Sequence, residues 1–159
     1  MTGRTRAIVA GIAVLAVVLA LGRSLRTEPP AGPRVATFES FLDGESLRRG
    51  AFEEGERVNT PVGGQVRVVP PGGGQLVFEE RTDARFVTFS PLAVDLTHGR
   101  VRVETADEPL SLRYLGHTLR VGPRAVAELS SAPPRAVVIS GPVTLDGHAV
   151  TGERPLAAR

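Results

Sequence analysis

Residues 94–104 read VDLTHGRVRVE. Val94 and Leu96 alternate with Asp95 and Thr97; after Gly99, Val101 and Val103 alternate with Arg100, Arg102 and Glu104. Apolar residues at period two put one face of a strand in a core and the other in water. The Gly between the two runs marks a turn, so the stretch reads as two consecutive strands.

The same pattern extends outward in both directions. Upstream lie Val66 and Val68, then Leu76 to Phe78 across Pro70-Pro71-Gly72-Gly73-Gly74, then Phe86-Val87-Thr88-Phe89, which ends at Ser90-Pro91. Downstream lie Leu110, Leu112 and Tyr114, then Leu119 and Val121, then Val126 and Leu129, then Val137-Val138-Ile139 and Val143-Thr144-Leu145. Asp146-Gly147 is a two-residue hairpin signal leading to Ala149-Val150. Strands recurring about every 8–12 residues with Gly, Pro or Asp-Gly between them suggest a sandwich, a barrel or a β-solenoid. The expected fold is all-β: one sandwich-like or solenoid-like domain over residues 47–150, preceded by one N-terminal transmembrane helix.

Three segments fall outside that pattern. Residues 27–36 (TEPPAGPRVA) read as a Pro-rich linker, since Pro breaks a helix and stiffens an extended chain. Residues 37–49 suggest a short helix: Phe38, Phe41 and Leu42 have helical spacing, Thr37 is placed to cap it, and Gly44 limits its length. Linker and short helix together occupy residues 27–46. Residues 151–159 are expected to be a frayed tail.

Residues 7–22 (AIVAGIAVLAVVLALG) carry no charge, with Arg4 and Arg6 before them and Arg23 and Arg26 after. A spanning helix needs about 20 apolar residues, with roughly 17 as the low end. A signal-peptide core has about 7–15. Arg side chains that reach to the interface lengthen the effective span, which favours an uncleaved anchor over residues 1–26. Ala20-Leu21-Gly22 leaves a cleavable signal as the alternative. An anchor next to the amino terminus sends the body across the membrane. The expected topology is therefore single-pass, with the β-domain on the far side of the membrane.

The charge pattern bears on partners. All 19 basic residues are Arg, and the formal net charge is +2. Beyond residue 26 there remain 15 Arg against 17 acidic residues, a balance of −2. The body is not a polycation, which argues against nucleic acid as a partner. The chain has no Cys, which removes disulfides, thiol nucleophiles and Cys-ligated zinc.

No catalytic arrangement stands out. His98, His117 and His148 lie in strand–turn contexts without a second His at ligand spacing. Asp95 and His98 are near enough in sequence to approach one another. No Gly-x-Ser-x-Gly elbow is present, and no helix follows Gly72-Gly73-Gly74 to cradle a phosphate. Glu53, Glu54 and Glu56, and Glu79 with Glu80, read as solvated faces. The expectation is a non-enzyme with no cofactor and no metal. Arg100 and Arg102 share one face of their strand by period two. With Arg113 or Arg120 on aligned neighbouring strands they would form a basic face for an acidic peptide or a lipid phosphate. Mutual pairing with acids such as Glu104 is the plainer reading, and an exposed sheet edge offers a further route, by strand addition.

The order of these motifs resembles the FecR family of bacterial envelope domains. Gly55-Glu56-Arg57-Val58-Asn59-Thr60 looks like the family's opening strand. Val66-Arg67-Val68 leading into Gly73-Gly74-Gln75-Leu76 is similar to its strand, Gly turn and strand. Residues 94–103 look like its central unit, and residues 137–145 (VVISGPVTL) its closing unit. The resemblance covers residues 47–147. It departs from the pattern at Gly122-Pro123-Arg124-Ala125, where the family shows Gly-Thr and then an apolar or aromatic residue. The resemblance implies an envelope-side β-domain, anchored in the bacterial inner membrane and standing in the periplasm, that binds an envelope protein or peptide. Members that control sigma factors carry a cytoplasmic segment before the membrane helix; six residues precede the apolar run here, so direct sigma-factor binding is not expected. The alternative is a lipid-handling protein resembling a lipopolysaccharide-export tether, whose mark would be an apolar groove lined from within.

Overall fold

The computed structural model describes residues 35–158. They form fifteen strands: β1 (Ala36–Leu42), β2 (Glu45–Phe52), β3 (Arg57–Asn59), β4 (Gly64–Val69), β5 (Gly74–Phe78), β6 (Asp83–Phe89), β7 (Leu92–His98) and β8 (Arg100–Thr105), followed by β9 (Leu110–Tyr114), β10 (His117–Val121), β11 (Val126–Ser131), β12 (Pro134–Ser140), β13 (Val143–Leu145), β14 (His148–Ala149) and β15 (Gly152–Pro155). The strands build two sheets. One has the order β15-β12-β11-β8-β5-β4-β1-β2, the other β14-β13-β10-β9-β7-β6-β3. Every pairing is antiparallel except β7 with β9.

The two sheets pack as a sandwich, one of the architectures that the period-two pattern allows. Val66, Val68, Leu76, Phe78, Val101, Val103, Ala127 and Leu129 of the eight-stranded sheet are buried. They share one core with Phe86, Val94, Leu96, Leu110, Leu112, Leu119 and Val121 of the seven-stranded sheet. The residues between them in sequence, such as Arg67, Val77, Arg102 and Glu128, therefore face outward from their sheet. The transmembrane helix expected over residues 7–22, and the linker up to residue 34, lie outside the described residues.

The chain passes repeatedly from one sheet to the other, and buried threonines hold three of these passages. Thr60, between β3 and β4, donates its hydroxyl to the Glu79 carbonyl and accepts the Thr82 N–H at 2.7 Å. Thr82, between β5 and β6, accepts the Arg100 N–H at 3.0 Å. Thr105, which ends β8, donates to the Gly122 carbonyl at 2.5 Å and accepts the Ala125 N–H at 2.9 Å. At a corner the ladder stops, so backbone groups there need side-chain partners once they leave water.

Two sequence expectations are corrected here. Residues 37–49 are not a helix: β1 and β2 pair as an antiparallel hairpin, Ala36↔Phe52 through Leu42↔Glu45. Its turn is Asp43-Gly44, with φ of 49° and 85°, which nearly repeats the Asp146-Gly147 turn at 52° and 84°. Two positive φ values in succession suit the right-handed twist of a hairpin, and Asp-Gly accepts them. The all-β body thus begins at Ala36 and not at residue 47. Residues 151–159 are likewise no frayed tail throughout: β15 pairs with β12, and Leu156 is buried.

Candidate functional site

The four arginines expected to form a basic face do not share one. Arg100 and Arg102 lie on β8 of the eight-stranded sheet; Arg113 on β9 and Arg120 on β10 belong to the seven-stranded sheet. Val101, Val103, Leu112, Leu119 and Val121 all point into the common core, so the arginines beside them project from opposite outer faces. Arg100 meets two carboxylates, Glu79 at 3.2 Å and Glu128 at 3.3 Å. Arg113 forks onto Asp95 at 2.5 and 3.1 Å. Among the described residues, Arg102 and Arg120 form no ion pair. Asp95 thus faces Arg113 rather than His98.

The outer face of the eight-stranded sheet is a ladder of registered side chains. Glu153, Val137, Glu128, Arg102, Val77, Arg67, Glu39 and Arg49 stand in a single row, one from each strand. Three carboxylates and three guanidiniums in that row cancel. Cross-strand pairs of opposite charge contribute about 0.2–1 kcal/mol each, so the row stabilises the sheet more than it advertises a charge. A shallow depression of about 470 Å³ lies over its middle, lined by Gln65, Arg67, Gln75, Val77, Arg102 and Glu104 among others. The matching row on the other sheet runs Arg57, Arg85, Asp95, Arg113 and Thr118. There Arg57 is held by Asp83 at 2.5 Å and Arg85 by the Gly55 carbonyl at 3.1 Å.

Among the described residues, no three His, Asp or Glu side chains are placed to hold a metal. His117 is engaged structurally: Nδ1 lies 2.7 Å from Asp146 Oδ2 and Nε2 lies 2.8 Å from the Ala157 carbonyl. Nothing in the sequence spacing marked that bridge, because its partners are far away along the chain.

The sheet edges differ sharply. Three of the four are short: β15 has four residues and ends in Pro155, β14 has two and β3 has three. The fourth, β2, has eight residues, pairs only with β1 among the described strands, and is exposed from Glu45 through Ala51. A strand paired on one side presents a row of N–H and C=O groups to any chain that can lie beside it. Its regular part is Arg48–Phe52; at Leu47 the register slips, since Ser40 faces Arg48 and Phe41 faces Ser46. Leu47 is 63% exposed.

The hairpin that carries this edge is anchored at both ends. On its outer face the Glu39 carboxylate accepts Ser46 Oγ at 2.7 Å and Arg49 Nε and a terminal nitrogen at 3.0 and 2.8 Å. The Ser46 hydroxyl and the Arg49 guanidinium together hold the Glu39 carboxyl below its ordinary range. Arg67 of β4 stacks over the Phe41 ring at 4.8 Å. On the inner face Phe38 stacks on Phe52 at 4.3 Å, and Arg48 sits 5.9 Å from the centre of the Phe38 ring. Strand addition was the least developed of the sequence-based routes. The signal that places it is Asp43-Gly44, a hairpin dipeptide of which only Gly44 enters the helix reading.

Compared with known proteins, the chain matches no family model, no curated protein and no solved structure.

Proposed function

We propose that this protein is a non-catalytic, FecR-like β-domain, tethered to the bacterial inner membrane through residues 7–22. Its sandwich stands in the periplasm and binds another envelope component as a scaffold or sensory module. One observation carries the binding reading: β2 is a long edge strand, exposed over seven of its eight residues, on a sandwich whose other edges are short. The outer row of the eight-stranded sheet is charge-balanced, so on that sheet the edge is the surface that offers unmet bonding. The order of the motifs in residues 47–147 supports the family, and the charge-free run with its flanking arginines supports the tether.

The lipid-handling alternative asks for an apolar groove lined from within. Between these sheets stand Phe78, Phe86, Phe89, Leu76, Leu112 and Leu119, each less than 2% exposed, and they fill that space with side chains. The experiment is crosslinking of the C-terminally tagged full chain in native membranes, with mass spectrometry of captured protein and lipid. A specific envelope protein supports the reading. Enriched glycolipid without protein favours the lipid-handling alternative, and capture of neither ends the binding reading.

A further inference from the structure

We propose that the open edge of β2 receives an extended segment of the partner as an added antiparallel strand. Along that guest the sequence would read apolar, any residue, aromatic, acid, acid, opposite Phe52 through Arg48. This deepens the binding reading above and rests on it.

Edge geometry sets the length of the guest. β2 keeps regular register with β1 only from Arg48 to Phe52, and the irregularity at Leu47 interrupts the edge beyond. An added strand can continue the ladder over that run and no further. An antiparallel guest continues the pattern of every other pair in this sheet.

Side chains set its chemistry. Period two puts Phe52, Gly50 and Arg48 on the inner face and Ala51 and Arg49 on the outer one. At Gly50 there is no side chain. The Phe38 ring lies across it, with Cε1 only 2.8 Å from where a Cβ would stand. Phe38 and Phe52 are both only partly buried, so their stacked rings leave apolar surface beside the edge. Guest side chains opposite Gly50 and Phe52 meet that surface, and an aromatic ring opposite Gly50 extends the stack. Arg48 forms no ion pair among the described residues, and Arg49 stays 78% exposed despite its contact with Glu39. Acids opposite Arg48 and Arg49 would pair one on each face of the sheet.

A second copy of this chain does not suit the edge. A second β2 laid antiparallel over the same run would set Arg48 against Phe52, Arg49 against Ala51 and Gly50 against Gly50, so neither arginine would meet an acid and no ring would cover the Phe38–Phe52 stack. Edge charges and bulges of this kind oppose self-association. The occupant is therefore a different chain.

The test uses the full chain in detergent micelles and fluorescent synthetic peptides built on Val-Thr-Phe-Glu-Asp, with flanking Thr and Ser, read by fluorescence anisotropy. Three comparisons decide it. A Val-Thr-Phe-Lys-Arg peptide reverses the charge, an alternately N-methylated Val-Thr-Phe-Glu-Asp peptide blocks the ladder, and the R48E/R49E protein reverses the edge. We expect binding of the acidic peptide, no binding of the N-methylated one, and weakening of about tenfold for either charge reversal, from two cross-strand pairs turned from attractive to repulsive. Arg120→Glu, on the other sheet, should leave binding unchanged. Arg48→Ala, a milder change, should weaken binding in the same direction if R48E/R49E disturbs the hairpin. Equal binding of acidic and basic peptides, tolerance of N-methylation, or no binding at all overturns the proposal. The R48E/R49E chain is also crosslinked in membranes beside the wild type. A partner captured by both overturns the site while the binding-module reading stands; a wild type that captures no protein removes the reading itself.

Discussion

Phe52, the last residue of the edge strand β2, lies 5.3 Å from Phe86 of β6, which belongs to the opposite sheet. Phe86 in turn meets Phe78 at 6.1 Å, edge to face, and Phe89 at 5.3 Å. With Phe38 stacked on Phe52, five of the chain's six phenylalanines form one aromatic chain. It runs from the exposed hairpin into the core, so the binding edge is fastened to the centre of the sandwich through its own inner face.

Removing the links of that chain should cost unequal amounts. Phe86 is fully buried and touches three other rings, so Phe86→Ala should destabilise the protein by about 3–5 kcal/mol. Phe52 is only partly buried, and Phe52→Ala should cost roughly half as much, yet loosen the hairpin more. Denaturant unfolding gives the first number and amide exchange over β1 and β2 the second. Equal losses for the two variants would show that the rings do not form a graded path.

The sandwich was legible in the sequence where alternation is local, and less so where structure depends on distant pairing. Val101-Arg102-Val103 shows its inward and outward residues without help. The sheet to which its strand belongs depends on a return of the chain from Thr105 to Leu110 across the core, and no local spacing encodes that return. Hence Arg100 and Arg102 lie together on β8, while Arg113 and Arg120 lie on the other sheet. The hairpin of β1 and β2 was misread for a different reason. Phe38, Phe41 and Leu42 sit at helical spacing because Phe41 faces outward under the Arg67 guanidinium, while Phe38 and Leu42 share the other face of a regular β1. Asp43-Gly44 carried the correct signal, as Asp146-Gly147 did at the other end of the chain.

Thr105 tests whether the buried threonines hold the passages between sheets. Thr105→Val keeps the shape and removes the hydroxyl. The buried Ala125 N–H then loses its acceptor, and the partly buried Gly122 carbonyl its donor. An unmet buried polar group costs about 1–3 kcal/mol, and a lowered denaturation midpoint of that size is expected. Thr105→Ser should recover most of the loss. A Val variant as stable as the wild type would mean that the backbone alone holds the corner.

Glu39 gives the hairpin a pH dependence whose sign follows from its environment. The Ser46 hydrogen bond, then the Arg49 guanidinium, lower the pKa of its carboxyl from an ordinary 4.5. A carboxyl depressed by folding stabilises the folded form fully above its unfolded value and stops doing so as pH falls through the lowered folded value. Amide protection in β2 should thus hold at neutral pH and decline on acidification below 4.5. Carboxyl NMR should show Glu39 titrating below that value, and Ser46→Ala should move it back toward it. An unchanged titration in Ser46→Ala would remove the hydroxyl as the main cause.

The C-terminal segment, expected to fray, should instead prove structural. Leu156 is 7% exposed, and its N–H donates to the Pro134 carbonyl at 2.9 Å. The next carbonyl, that of Ala157, faces Nε2 of His117, whose other nitrogen faces Asp146 in the β13–β14 turn. One strand, one buried leucine and one imidazole thus close the edge of the larger sheet against the smaller. Leu156→Ala should lower stability by about 2–3 kcal/mol, toward the small end for a buried leucine because the site lies at a rim that can collapse. Deleting residues 151–159 should cost more than Leu156→Ala, since it also strips β15 from β12 and leaves β12 as an open edge. Thermal unfolding orders the three proteins, and light scattering reports whether the deleted form associates through β12. If the deletion were as stable as the full chain and no stickier, β15 would be a passenger on a sandwich already complete at residue 150.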